Sequence, residues 1–250
     1  MKAIILAAGK GERLKEITNS LPKPMIKIKG KPILQHNIEL CRKYGIEDIF
    51  INVHHLSEKI IDYFGDGKKL DVNIKYSYEK ELLGTSGAIK KIASEFWNYP
   101  KQNSNIPLFR LHDSFFVIYG DNLSEYNLNL LIEKQKQTSS PCIIAFHYRD
   151  DVSTSGVGEF NEDNRIIRFI EKPLKGETNS HWVNAGIYLL TPEILNFIPD
   201  GFSDFGKDIF PGLLKEKIPI YSVCSAVKVR AFDNKEMYNL NVEEENDSEK

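Results

Sequence analysis

Apolar residues along the chain fall into short runs that alternate with longer stretches in which apolar positions recur every three or four residues. The runs Ala3–Leu6, Asp48–Val53, Val72–Tyr76 and Phe115–Tyr119 read as strands, and each is followed by a helix-like segment: Ile33–Tyr44, Ser57–Phe64, Thr85–Ser94 and Leu128–Gln137. Repeated βα of this kind predicts an α/β fold with a mostly parallel sheet covered by helices. Gly30 breaks the chain ahead of Pro32, whose fixed φ suits a first helical turn. Ser57, ahead of Ile60 and Ile61, reads as a helix cap. After Pro141 the texture changes to strand-rich segments, Cys142–His147, Gly158–Phe160, Ile166–Ile170 and Gly186–Leu190. They predict a small β-rich lobe of mixed strand direction. Trp97–Asp113 is an irregular connection rich in turn formers, and Glu243–Lys250 reads as a frayed acidic tail.

Composition narrows the class of partner. The chain has 250 residues, 41% hydrophobic and 27% charged, enough to bury a sizeable core, and no Pro/Gly/Ser-rich linker forces a split. A single domain over 1–241 is therefore expected, with parts 1–140 and 141–241 and a flexible tail over 242–250. A net charge of −2 gives no basic field for nucleic acid or an anionic membrane surface. Cys41, Cys142 and Cys224 are far apart and lack CxxC spacing, so neither a disulfide framework nor a zinc site is expected, and a reducing cytoplasm fits. The N-terminal apolar run is shorter than a signal-peptide core and leads into glycine and charge, so it reads as a strand. No segment is long enough to span a bilayer. Homodimer formation is left open by the sequence.

Candidate chemistry begins at Leu6-Ala7-Ala8-Gly9-Lys10-Gly11-Glu12-Arg13-Leu14, followed by Leu21-Pro22-Lys23-Pro24-Met25. A glycine loop leaving a strand lets backbone N–H groups approach phosphate oxygens, because glycine has no Cβ in the way. The planar guanidinium of Arg13 can clamp a triphosphate, and Lys23 can add a compact charge. A plain strand-to-helix turn with two solvated cations would leave the same trace in a short motif. A dinucleotide fingerprint needs a third glycine and an acid ending the second strand. Here Leu14 holds the glycine position and Val53-His54-His55 ends the strand, so a dehydrogenase is disfavoured.

Further along, Phe115–Tyr119 runs into Gly120-Asp121, the strand-end position where open α/β sheets bind ligands. One aspartate there suits Mg2+, which prefers one or two carboxylates plus water and substrate phosphates. Otherwise Asp121 would be a turn residue capping the next helix. Asp233 follows an apolar strand and could join Asp121 on the metal, while Asp208 reads better as the N-terminal charge of a helix. His54-His55 and His181-Trp182 lack partners at metal-ligand spacing, and no GxSxG elbow is present.

Together, Leu-Ala-Ala-Gly-x-Gly-x-Arg and Pro22-Lys23-Pro24 resemble the signature of the sugar-phosphate nucleotidylyltransferases, and the resemblance runs from residue 1 to about 241. It implies a Rossmann-like nucleotidyltransferase fold with a mixed, mostly parallel central sheet and helices on both faces, divided into a nucleotide-binding part (1–140) and a sugar-binding and metal part (141–241). It implies that Arg13 and Lys23 are catalytic and that Leu6, Ala8, Gly9, Gly11, Glu81, Gly84 and Thr85 hold the nucleotide. Thr85 could equally cap its helix. It also implies that Gly156, Glu171, Lys172, Asn184 and Gly186 meet the sugar phosphate and that Asp121 and Asp233 hold Mg2+. Two departures stand out: Ser155 replaces the usual aromatic, and the Asp233 segment lacks the family's glycine and proline.

The expected substrates are a nucleoside triphosphate and a sugar 1-phosphate, with Gly84-Thr85-Ser86-Gly87 favouring GTP and a mannose- or manno-heptose-like partner. Glucose 1-phosphate with dTTP or UTP is the alternative, and a catalytically silent nucleotide-sugar sensor of the same fold is another.

Overall fold

The computed structural model describes residues 1–11, 14, 18–97, 114–232 and 235–239. In chain order the strands and helices are β1 (Lys2–Leu6), β2 (Lys27–Ile28), β3 (Lys31–Pro32), α1 (Ile33–Lys43), β4 (Asp48–Val53), α2 (Ser57–Phe64), β5 (Asn73–Tyr78), α3 (Gly84–Phe96), β6 (Phe115–Tyr119), β7 (Asn122–Ser124), α4 (Leu128–Thr138), β8 (Cys142–Tyr148), β9 (Gly156–Phe160), β10 (Ile166–Glu171), β11 (Trp182–Leu190), α5 (Phe210–Lys215), β12 (Ile220–Ser225) and β13 (Val229–Ala231). A mixed α/β fold is what the βα alternation predicts. The chain forms two compact units: a first of Lys2–Leu82, Ile118–Glu125 and Val229–Lys250, and a second of Leu83–Val117 and Tyr126–Lys228.

In the first unit β1, β4 and β5 lie parallel, in register from Lys2↔Asp48 to Leu6↔Asn52 and from Asp48↔Asn73 to Val53↔Tyr78. Ala3, Ile4, Ile5, Ile49, Ile51 and Val53 are wholly buried, which is why β1 and β4 read as continuous apolar runs rather than alternating ones. Helix α1 buries Ile33, Leu34, Ile38 and Cys41, and carries Arg42 and Lys43 in its last turn, where cations meet the negative end of the helix dipole. Ser57 is the first residue of α2, not its cap: Leu56 precedes it in a left-handed conformation and no side chain caps the helix. The tight left-handed entry replaces the serine cap read from the sequence. Leu14, Ile26, Ile28, Ile33 and Phe232 form a small buried cluster, against which Leu21, Leu123 and Tyr238 pack. It anchors both sides of the Pro22-Lys23-Pro24 turn.

The second unit is strand-rich. On β8, β11 pairs antiparallel from Trp182↔Tyr148 to Leu190↔Cys142, and β12 pairs parallel from Ile220↔Cys142 to Ser225↔His147. Strand β9 meets β11 at Val183↔Val157 and forms an antiparallel pair with β10. Tyr188, Phe205 and Phe210 pack ring on ring, with centroids 5.1, 5.1 and 5.4 Å apart. Tyr126 is wholly buried, and its hydroxyl lies within hydrogen-bond distance of two carbonyls, Val223 O at 2.7 Å and Phe146 O at 3.2 Å. A buried phenol requires such partners. Among the described residues no helix is long and apolar enough to cross a membrane.

Candidate functional site

Three separated segments converge in the first unit. Gly120 lies at the end of β6, donates its N–H to Leu6 O at 2.9 Å, and comes so close that a Cβ would stand 2.8 Å from that oxygen. Only glycine lets the Gly120-Asp121 turn dock on the end of β1, where the glycine loop departs. In that loop Gly11 has φ +63°, and a Cβ there would meet Thr18 Cγ2 at 2.8 Å and Lys23 Cβ at 3.3 Å. Thr18 fixes the loop through its hydroxyl, which lies within hydrogen-bond distance of Gly11 O and Leu14 O at 2.9 and 3.0 Å. Gly9, by contrast, has nothing within 4 Å of where a Cβ would point. Packing does not require a glycine there, and its open approach suits a ligand.

Lys23 completes the convergence. Pro22 and Pro24 frame a single 3₁₀ turn, Lys23–Met25, and Lys23 is buried to 6% exposure. Its Nζ donates to Asp121 Oδ2 at 2.5 Å. A lysine is seldom so buried unless paired. The structure thus brings together Leu6, the glycine loop, Lys23 and Asp121. Arg13 and Asp233 lie outside the described residues, as do 98–113 and the tail. Glu81 is exposed in the same unit.

Two buried polar residues that the sequence reading passed over hold this arrangement. Asn52, on β4, accepts the Ala7 N–H at 2.8 Å and donates to Glu79 Oε1 at 2.7 Å. Asn37, on α1, donates to Asn122 O at 3.0 Å and so braces the turn that carries Asp121. For Asn52 the available signal was an amide within an apolar strand, since a buried amide must be paired.

In the second unit Gly156 faces Glu171 across the β9–β10 pair, and a Cβ on Gly156 would lie 2.8 Å from Glu171 Oε2. Burial raises the Glu171 carboxyl above its ordinary pKa; Lys172 and Lys207 oppose that shift and Asp204 adds to it. Lys172 is exposed, with φ +53°, and donates its backbone N–H to Ser155 O at 3.0 Å. Asn184 sits where the β11–β8 register shifts, donating to Tyr188 Oη at 2.7 Å and accepting the Gly186 N–H at 2.9 Å. Gly186 adopts φ +70°, which that irregularity demands.

Gly84 and Thr85 open α3. Gly84 has φ +72°, and a Cβ on it would stand 2.3 Å from Ser203 O. Thr85 donates its N–H and its hydroxyl to Asp204 Oδ1 at 3.0 and 3.1 Å. The start of α3 is therefore capped from a distant segment, a role that local sequence could not reveal. Asp208 accepts the Asp204 N–H at 2.7 Å, matching the helix-start role read for it.

Comparison with known proteins bears directly on this geometry. Residues 2–228 match the family model described as nucleotidyl transferase. The chain belongs to the nucleotidyl transferase family. Among members of the nucleotidyl transferase family, it is 38% identical over 235 residues to a UTP–glucose-1-phosphate uridylyltransferase of Synechocystis sp., covering 89% of this chain and 58% of the relative. It is 34% identical over 220 residues to mannose-1-phosphate guanyltransferase 2 of Candida glabrata, covering 87% and 57%. The chain thus spans little more than half the length of these relatives. The crystal structure of HddC from Yersinia pseudotuberculosis complexed with GMP-PN superposes with a TM-score of 0.76 at 26% identity, covering 97% of this chain and 98% of that one.

Proposed function

We propose that the chain is a sugar 1-phosphate nucleotidylyltransferase, joining the nucleotidyl group of a nucleoside triphosphate to a sugar 1-phosphate and releasing pyrophosphate. The observation that carries this is the pairing of buried Lys23 with the partly exposed Asp121 at 2.5 Å, set beside a glycine loop whose Gly9 is open to approach. In the reaction a phosphate oxygen of the sugar phosphate attacks the α-phosphorus in line. The bond from the α-phosphorus to the bridging oxygen of the β-phosphate breaks, and the electron pair leaves on pyrophosphate. The attacking phosphate is largely a dianion near neutral pH, so no general base is needed.

Catalysis of this kind rests on positioning and on offsetting charge. Lys23 supplies a fixed cation at the loop, and Arg13 is assigned a second. Glu171 accepts sugar hydroxyls and Lys172 orients the attacking phosphate, with Asn184, Gly156 and Gly186 shaping that subsite. Asp121 fits Mg2+ as a hard oxygen donor at a partly exposed turn. Among the described residues no group of three or more His, Cys, Asp or Glu could hold a metal, so the ion would share Asp121, and Asp233 by assignment, with substrate phosphates. Bound there, magnesium would neutralise phosphate charge.

For the substrates we favour GTP with a mannose- or manno-heptose-like 1-phosphate, on the guanyltransferase and GMP-PN-bound relatives. A second reading, UTP with glucose 1-phosphate, is favoured by the 38% identical uridylyltransferase. The test is pyrophosphate release with Mg2+ across GTP, dTTP, UTP, CTP and ATP against mannose, manno-heptose, glucose and N-acetylglucosamine 1-phosphates. A signal confined to one pairing names both substrates. Silence across all of them overturns these substrate pairings and leaves an unusual phosphorylated acceptor or the nucleotide-sugar sensor.

A further inference from the structure

The segment after Gly201 does more than close a loop. Ser203 O accepts the N–H groups of Ser86 and Gly87 at 3.0 and 3.3 Å, and Ser203 N donates to Leu83 O at 3.0 Å. The wholly buried Ser86 hydroxyl donates to Ser203 Oγ at 2.7 Å. Next comes Asp204, whose Oδ1 takes both donors of Thr85, and then Phe205, whose N–H donates back to Thr85 Oγ1 at 2.9 Å. A hydroxyl has one proton to give. That of Thr85 is already given to Asp204, so in this arrangement it offers no donor to a nucleotide.

What Thr85 holds is a π-helix, Phe205–Ile209. Such wide turns are rare, and they are frequently found at functional sites. Gly206 lies in its first turn, and a Cβ there would stand 2.4 Å from Glu171 Oε2. The Glu171 carboxylate is thus seated between the bare Cα atoms of Gly156 and Gly206, with Lys207 of the same π-helix contributing to its electrostatic environment.

We infer that Thr85 is a positioning residue for the sugar phosphate subsite: by fixing the π-helix Phe205–Ile209 through Asp204 and Phe205, it sets where the Glu171 carboxylate stands. The inference rests on the sugar-facing role proposed for Glu171. Its consequence is that the Thr85 hydroxyl, read from sequence as available to the nucleotide, acts on the other substrate.

The test is equilibrium binding of mannose 1-phosphate and glucose 1-phosphate, in EDTA with the preferred nucleoside triphosphate present, for wild type, Thr85→Val, Thr85→Ser and Gly206→Ala. Nucleotide affinity and hydrogen exchange over 205–210 are measured on the same proteins. Thr85→Val is expected to weaken sugar phosphate binding about tenfold, the equivalent of one lost hydrogen bond, and to speed exchange over 205–210. Nucleotide affinity should stay within about twofold, and Thr85→Ser, which keeps the hydroxyl, should restore binding. Gly206→Ala, which leaves Thr85 intact, should weaken sugar phosphate binding by displacing Glu171, so the test does not depend on Thr85→Val folding. Weaker nucleotide binding in Thr85→Val, unchanged sugar phosphate binding in both variants, or no sugar phosphate binding by wild type would overturn the inference. Turnover is not among these readouts, so failure of the transferase itself would register separately, as absent pyrophosphate release.

Discussion

Asn52 and Glu79 share a hydrogen bond of 2.7 Å inside the first unit, with Asn52 4% exposed and Glu79 1%. The same asparagine accepts the Ala7 N–H, so a single amide ties β4 both to the start of the glycine loop and to a buried carboxyl group. Asn52→Leu would fill the volume but leave the buried Ala7 N–H without that acceptor and the Glu79 carboxyl without that donor. Leaving a buried N–H unsatisfied costs about 1 to 3 kcal/mol, and the donor lost to the Glu79 carboxyl adds to that. We expect Asn52→Leu to lower unfolding free energy by about 3 kcal/mol in urea titration, with the slope unchanged. A loss below about 1 kcal/mol would show that Asn52 is not what holds the loop.

Lys23 and Asp121 should be needed for turnover rather than for folding. Lys23→Ala and Asp121→Ala are each expected to cut pyrophosphate release by about a hundredfold or more, the scale of losing one preorganised electrostatic group, while far-UV circular dichroism stays as in wild type. Lys23→Arg should not rescue, because a planar guanidinium does not fit a buried seat shaped for an ammonium. Near-normal turnover in either alanine variant would remove the pair from the mechanism.

Two glycines should respond in opposite directions to the same substitution. At Gly84 the backbone is left-handed and a Cβ would stand 2.3 Å from Ser203 O, an oxygen that also caps α3, so Gly84→Ala must move backbone and is expected to cost about 3 kcal/mol or more. Gly212 lies within α5 with nothing within 4 Å of its Cβ position, and Gly212→Ala should stabilise by about 0.5 to 1 kcal/mol. Thermal unfolding of the two variants beside wild type reads both signs, and equal shifts would contradict the contact geometry.

The elements legible in the sequence were those with one dominant signal. β4, α2 and β6 begin and end where the apolar pattern places them, because buried strands read as unbroken runs and α2 repeats its apolar positions at helical spacing. β12 was missed: Ile220 and Ser222 are its buried residues, and a buried serine inside a mixed run carries no strand signature. The glycine loop, Lys23 and Asp121 were legible as a candidate site because glycines and charges at strand ends carry chemistry of their own. What could not be read was pairing at a distance. Thr85 was recognisable as a cap or a ligand contact, but its partner Asp204 lies 119 residues away, and no local rule relates the two.

His147 provides a prediction about pH. It is 5% exposed on β8, and burial, reinforced by the nearby Arg149, lowers its pKa from 6.5 to about 4. The folded protein therefore holds the ring neutral, whereas the unfolded chain takes up a proton near pH 6.5. Stability from this group is fully present above pH 6.5 and is lost as pH falls toward 4, by about 3 kcal/mol for a shift of this size. Glu171 works in the opposite sense, since its raised pKa lets the folded state take up a proton before the unfolded chain does. That contribution is common to wild type and His147→Gln, so the difference between them isolates the histidine. Urea titrations at pH 7 and pH 4.5 should show wild type losing more stability than His147→Gln over that interval. Parallel losses would mean that the imidazole takes up its proton at the same pH in the folded protein as in the unfolded chain, so that burial does not lower its pKa.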